Sequence, residues 1–172
     1  MTVTLDVERL TFGFDALAHH ERRVVFVPYA APGDRVRARV VEQRRGYARA
    51  EVLEVVAPGP DRVLPGCAYF PTCGGCQWQH VAPAAQRRAK AAIVAEQLAR
   101  IAGVRDVDVL PAIASPADWS YRSRITLVVE GRRAGYHRAR SHRLLEIDGC
   151  RHFGGGAAGL TEYARHLTVP VR

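Results

Sequence analysis

The chain has 172 residues, of which 48% are hydrophobic, and a formal net charge of +8. That length suits one domain or two small ones, and that apolar content supports a packed core, which excludes a disordered chain. No apolar run approaches the ~20 residues needed to cross a bilayer, so neither a membrane span nor a membrane partner is expected. Lys90 is the only lysine, so nearly all the positive charge is arginine. Arginine forms forked bonds to phosphate and stacks on bases, which favours a nucleic-acid partner; a solvated basic surface would give the same composition.

Residues 1–57 read as a small β unit. Val3, Leu5 and Val7 alternate with polar residues, as in a half-buried strand. Gly13-Phe14-Asp15 reads as a turn, and Arg23–Val27 as a strand stopped by Pro28. Pro32-Gly33-Asp34 is a strong turn signal. Val36, Ala38 and Val40 then alternate with Arg35, Arg37 and Arg39, which puts arginines on one face. Arg44-Arg45-Gly46 makes a basic hairpin tip, and Tyr47–Val56 returns as the last strand. Short strands at this spacing predict a five-stranded OB-like barrel. Pro58-Gly59-Pro60 marks its boundary.

The next segment holds three of the four cysteines, Cys67, Cys73 and Cys76; the fourth is Cys150. Three thiols this close, with Gly74 and Gly75 between two of them, look like a ligand loop. Thiolates bind soft centres, an iron–sulfur cluster or zinc, and four complete either site. Zinc loops usually pair their cysteines as two short knuckles, whereas here three sit together and one is remote, which fits a cluster better. Glycine lets the backbone approach a cluster closely. Disulfides would need an oxidising compartment, and the opening residues have neither a basic nor an apolar signal region, so a cytoplasmic protein is expected.

From Pro83 to Ala102 the pattern turns helical, with Ala89, Ile93, Gln97/Leu98 and Ile101 on one face, Pro83 in the first turn and Gly103 as a C-terminal cap. Arg87, Arg88 and Lys90 lie near the helix start, where the macrodipole disfavours cations. A phosphate partner or plain solvation would account for them. Val107–Leu110 reads as a short strand and Trp119–Glu130 as holding a longer one, with Ile125, Leu127 and Val129 alternating. Gly131-Arg132-Arg133 turns it back. Gly135–Arg143 forms a second basic tip, and Leu144–Ile147 leads to Cys150. The glycine-rich stretch from Gly154 is weakly informative.

These residues resemble a known family. The chain is similar to the N-terminal part of bacterial RNA uracil-C5 methyltransferases of the iron–sulfur type, those that modify 23S ribosomal RNA. Pro32-Gly33-Asp34-Arg35-Val36 and Tyr47-Ala48-Arg49-Ala50 resemble their TRAM domain. Cys67, Cys73-Gly74-Gly75-Cys76 and Trp78-Gln79-His80 resemble their cluster loop. Gln86, Lys90 and Leu98–Ile101 resemble the helix after it, and Tyr121–Arg124, Gly135–His137 and Ser141-His142 the central β region. Cys150 falls where the family's fourth ligand falls.

The resemblance implies an α+β chain: a TRAM-like RNA-binding barrel over 1–57, then a central domain over 62–172 with a helix, antiparallel hairpins and a [4Fe–4S] cluster on Cys67, Cys73, Cys76 and Cys150. Zinc is the alternative occupant. The implied partner is ribosomal RNA. It is met at Arg44, Arg45, Tyr47 and Arg49 on the barrel, and at Arg122, Arg124, Arg138, Arg140, His142 and Arg143 in the central region. Tyr47, Tyr136 or Trp78 would either stack on unpaired bases or simply pack within the fold. The family also carries a methyltransferase domain with an S-adenosylmethionine site, and no strand–glycine-loop–helix unit for it is read here; Gly154–Gly156 follow a loop. Uracil C5 methylation needs a cysteine nucleophile, and four cysteines on a cluster leave none. The expectation is therefore a recognition portion inactive alone. A split enzyme whose methyltransferase domain is a separate chain, or a redox-sensing iron–sulfur RNA-binding protein, are the alternatives.

Overall fold

The computed structural model describes residues 1–154. Beyond Gly154 the glycine-rich stretch lies outside them. The alternation in the first ten residues produces β1 (Thr2–Leu10), whose Val3, Leu5, Val7 and Leu10 are buried. β2 (Ala16–His20), β3 (Arg23–Val27), β4 (Arg35–Gln43) and β5 (Tyr47–Ala57) follow. They close into a barrel in the order β1-β2-β3-β5-β4. The β3–β5 pairing is parallel and the other pairings are antiparallel. β2 is the strand that sequence alternation did not single out: Ala16, Leu17 and Ala18 are all buried, so it has no polar face to alternate.

One face of β4 supplies Val36 and Ala38 to the core; the other carries Arg35, Arg37 and Arg39. Each arginine meets a carboxylate on a neighbouring strand: Asp6 at 2.7 Å, Glu54 at 2.7 Å and Glu51 at 2.9 Å. These exposed cross-strand pairs set register more than they add stability.

The Pro32–Asp34 turn is anchored by a buried carboxylate. Asp34 is fully buried, and its side chain accepts from the backbone N–H of Ala31 (2.6 Å) and of Gly59 (2.8 Å). The Arg62 guanidinium closes on the same carboxylate at 2.6 Å and donates to the Tyr29 carbonyl at 2.9 Å. Only glycine fits at 59, since a Cβ there would lie 2.3 Å from the Pro32 carbonyl oxygen.

α1 (Pro83–Arg100) opens with proline in its first turn, as expected. Its Ala85 and Ile93 pack into the same core as the barrel residues, together with Trp78 and Val81. Ile101, expected on that face, is exposed, because the helix ends at Arg100 and the chain reverses through Gly103 at φ 70°. Arg88 at the helix start pairs with Asp61 at 2.8 Å, so a carboxylate upstream of the helix answers part of the cationic first turns.

By packing, the chain divides into Met1–Pro65 with Gln77–Ala114, and Gly66–Cys76 with the described residues from Ser115 on. The sequence expectation divided it near residues 57–62; the helix instead belongs with the barrel, because its apolar stripe is buried there. The second unit holds β6 (Val128–Glu130), β7 (Arg133–His137) and β8 (Leu144–Glu146), an antiparallel sheet in that order. Two expected strands are corrected. Val107–Leu110 pairs with nothing, and both end residues are exposed. Of the expected strand within Trp119–Glu130 only Val128–Glu130 forms, preceded by an isolated bridge between Arg122 and Phe153. Apolar spacing alone does not supply the partner strand that a ladder requires.

Asp34→Ala is expected to destabilise the protein by about 3–5 kcal/mol in urea unfolding, since it strands the Arg62 charge and two backbone donors. Burial opposes ionisation of Asp34, but Arg62 and the Gly59 and Ala31 N–H groups hold its carboxyl below the ordinary value. This stabilisation is therefore complete above the unfolded carboxylate value near ~4 and is lost as pH falls through the depressed one. The wild-type acid-unfolding midpoint should move toward neutrality in Asp34→Asn.

Candidate metal centre and nucleic-acid interface

The cysteine loop is stitched to the hairpin on either side of Cys73. The Ala139 N–H donates to the Thr72 carbonyl and the Gly74 N–H to the His137 carbonyl, both at 2.9 Å. Cys73 itself bridges to Arg138. Within the loop, Phe70 N–H bonds the Cys67 carbonyl (3.1 Å) and Cys73 N–H the Tyr69 carbonyl (2.8 Å). The Tyr69 hydroxyl then reaches the Cys150 segment, accepting from the Asp148 N–H at 2.9 Å and lying 3.2 Å from its carboxylate. Arg151 donates to the Gly66 carbonyl, and its guanidinium stacks 4.5 Å over the Trp119 ring. All four cysteines thus belong to one unit, and none forms a disulfide.

The Cys73 thiol senses the other three. Burial pushes the Cys73 thiol up, and the charges of Cys76, Cys67 and Cys150 push it the same way, against a 3.4 Å N–H···S bond from Gly75. The Tyr136 phenol is raised to about 12, first by burial and then by Cys150, to which it is hydrogen-bonded. Three further thiolates would repel a Cys73 thiolate, and a bound cation reverses that logic by drawing the protons off. Among the described residues no three Cys, His, Asp or Glu donors gather closely enough to hold a single metal ion. The donor set is four thiols with an N–H directed at one sulfur. Four thiols are a soft donor set, of the kind that an iron–sulfur cluster or zinc would draw on.

The predicted RNA-binding residues fall into two groups. On the barrel, Arg44 pairs with Glu42 at 2.7 Å, and Arg49 pairs with Asp15 at 2.9 Å and lies 3.6 Å from Glu42. Tyr47 packs edge-on against Phe26, with ring centroids 5.8 Å apart. Arg45 is exposed at the tip with no carboxylate against it. In the second unit, Arg122, Arg124, Arg138 and Arg143 are exposed and none makes an ion pair with a described residue. Arg122 lies 5.8 Å over the Tyr121 ring. His142 meets His137 edge-on at 5.6 Å. Of the nominated arginines, those without a described carboxylate partner lie mostly in the second unit.

There a cleft of ≈490 Å³ opens between Gly74-Gly75 and the hairpin, lined by Tyr136, His137, Arg138, Arg140, Ser141 and His142. Sequence reasoning did not nominate His137, Ser141 or the Tyr69 clasp. His137 and Ser141 lay within the basic tip, but only the hairpin's register puts them beside the glycines.

The TRAM domain model matches residues 1–53. An uncharacterized RNA methyltransferase of Thermosynechococcus vestitus is 40% identical, over 87% of this chain and 34% of the relative. The 23S rRNA (uracil(1939)-C(5))-methyltransferase RlmD of Alkalilimnicola ehrlichii is 39% identical, over 78% of this chain and 31% of the relative. The chain carries a TRAM domain and, over most of its length, is homologous to proteins named RNA methyltransferases. It spans about a third of the length of these curated relatives. A solved structure of the Pyrococcus abyssi tRNA (uracil-54, C5)-methyltransferase with S-adenosyl-L-homocysteine superposes with a TM-score of 0.60. It covers 94% of this chain and 35% of that one at 23% identity, which shows a shared fold.

Several residues that carry the family resemblance turn out to be structural. Trp78 is buried and donates its indole N–H to the Phe14 carbonyl at 2.9 Å, so it is not placed to stack on a base. His80 is buried with Nε2 3.1 Å from the Ala30 carbonyl, and burial pushes its pKa down. Gln86 donates to the Trp78 and Val81 carbonyls at 3.0 and 2.8 Å, tying helix to loop.

Gly135 is a position where a side chain would disturb the sheet beside Tyr136. A Cβ there would sit 1.9 Å from the Leu145 carbonyl oxygen, so β7 and β8 must part. Gly135→Ala is expected to cost about 1–3 kcal/mol in urea unfolding and to return the Tyr136 phenol toward its ordinary range in an NMR titration.

Proposed function

We propose that this chain is the RNA-recognition portion of an S-adenosylmethionine-dependent ribosomal RNA (uracil-C5) methyltransferase, working in the cytoplasm. It carries a [4Fe–4S] cluster on Cys67, Cys73, Cys76 and Cys150. The observation that carries the reading is the presence, within one unit, of all four cysteines and of Arg122, Arg124, Arg138 and Arg143, none of which pairs with a described carboxylate. The thiols supply a soft donor set; the arginines are left to meet phosphate. In this reading the cofactor site lies in the part of the relatives' length that the chain does not span. The cluster's role is structural, fastening the Cys150 segment to the loop that Tyr69 and the Cys73 bridge already hold.

Arg44 and Arg49 are tied to Glu42 and Asp15 and serve the barrel. Arg45, Arg124 and Arg143 carry the phosphate contacts beyond the cleft.

Anaerobically purified protein is expected to contain iron and acid-labile sulfide in equal amounts, with the charge-transfer absorption of a cluster, lost in Cys73→Ser. Zinc at one per chain without sulfide would overturn the cluster. Binding of a folded 23S ribosomal RNA segment, measured over a salt series, is expected to exceed that of a random RNA of equal length. Arg124→Ala and Arg143→Ala should each lower the log–log salt slope by about 0.7–1, whereas Arg49→Ala should leave it unchanged. Unchanged slopes in both of the first two variants would remove the second unit from the RNA interface.

A further inference from the structure

We infer that the cleft beside the cysteine loop takes a single unpaired nucleotide of the RNA, its base against Tyr136 and the His137–His142 pair and its phosphate at Arg138 and Arg140. The inference rests on the RNA-binding reading and adds to it a place and a form of substrate. At ≈490 Å³ the cleft falls within the range of small-ligand sites, which run from about 300 to 1,000 Å³. Its lining holds two arginines and two histidines and no carboxylate, so nothing in it repels an anion.

Aromatic surface stands beside that charge. The His137 and His142 rings meet at 5.6 Å with their planes at 79°, and Tyr136 lies in the same lining. A base has a stackable face only when it is out of a duplex, so rings beside arginines recognise a splayed nucleotide and not a paired one. The floor is Gly74-Gly75, where no side chain competes for the space, and the Gly74 N–H is already spent on the His137 carbonyl.

The tip is set before any ligand arrives. Arg138 N–H bonds the Arg143 carbonyl at 2.8 Å and Ser141 N–H bonds the Arg138 carbonyl at 3.1 Å. Arg140 is held at φ 56°, in the left-handed region that a long side chain seldom adopts. Non-glycine residues in that region cluster at ligand clamps, and here the residue so held lines the cleft.

The test uses the full chain and a single-stranded RNA of about six nucleotides carrying one 4-thiouridine. Photo-crosslinking with peptide mapping should place the label within residues 136–142. His142→Ala should weaken hexamer binding about tenfold, and Arg138→Gln similarly, while a duplex of equal charge changes less than about twofold. Crosslinks confined to the barrel, with hexamer affinity retained in both variants, would overturn the cleft and leave RNA binding standing. If neither the hexamer nor folded ribosomal RNA binds the wild-type chain, the RNA reading fails and the cleft fails with it. The wild-type crosslink map needs no variant, so a variant that does not fold leaves the inference open to refutation.

Discussion

Two backbone hydrogen bonds, Ala139 to Thr72 and Gly74 to His137, hold the cysteine loop and the hairpin in register. They flank Cys73, so one edge-to-edge contact fixes a thiol, the glycines beside it and the start of the basic tip together. Backbone groups left unpaired here would have to find water or strain, which is why a loop with little regular structure can still be well defined. The Tyr69–Asp148 clasp does the same for the other end, bringing Cys150 into the electrostatic range of Cys73.

Electrostatics separates the two halves by role. On the barrel, β4 pairs Arg35, Arg37 and Arg39 with carboxylates across strands, and the fully buried Asp34 is answered by Arg62 and two backbone N–H groups. The hairpin unit leaves arginines unanswered and stacks some of them on rings, as Arg122 on Tyr121 and Arg151 on Trp119. A guanidinium over an aromatic face keeps its charge available while its plane is held, a state suited to meeting phosphate or a base.

Much of this was legible in the sequence where a local rule governs the residue. Period-two alternation gave β1 and β4, turn chemistry placed Pro32-Gly33-Asp34, and Pro83 marked the helix start. The cysteine spacing singled out four residues that do share one unit. What escaped was set by partners. β2 has no polar face, Val107–Leu110 found no strand to pair with, and Trp78 looked available for stacking until the core enclosed it. Which arginines are free is likewise a tertiary fact: Arg49 and Arg124 are indistinguishable as letters, but only the first sits 2.9 Å from a carboxylate.

The division of the chain into Met1–Pro65 with Gln77–Ala114, and Gly66–Cys76 with the residues after Ser115, has an engineering consequence. The hairpin unit is assembled from two stretches separated by the helix that serves the barrel. No contiguous graft carries it without the helix: a fragment ending before Ser115 keeps three thiols without the fourth, and one starting there keeps Cys150 without its loop. Recombination at the boundaries of these segments would separate Cys150 from the other three cysteines.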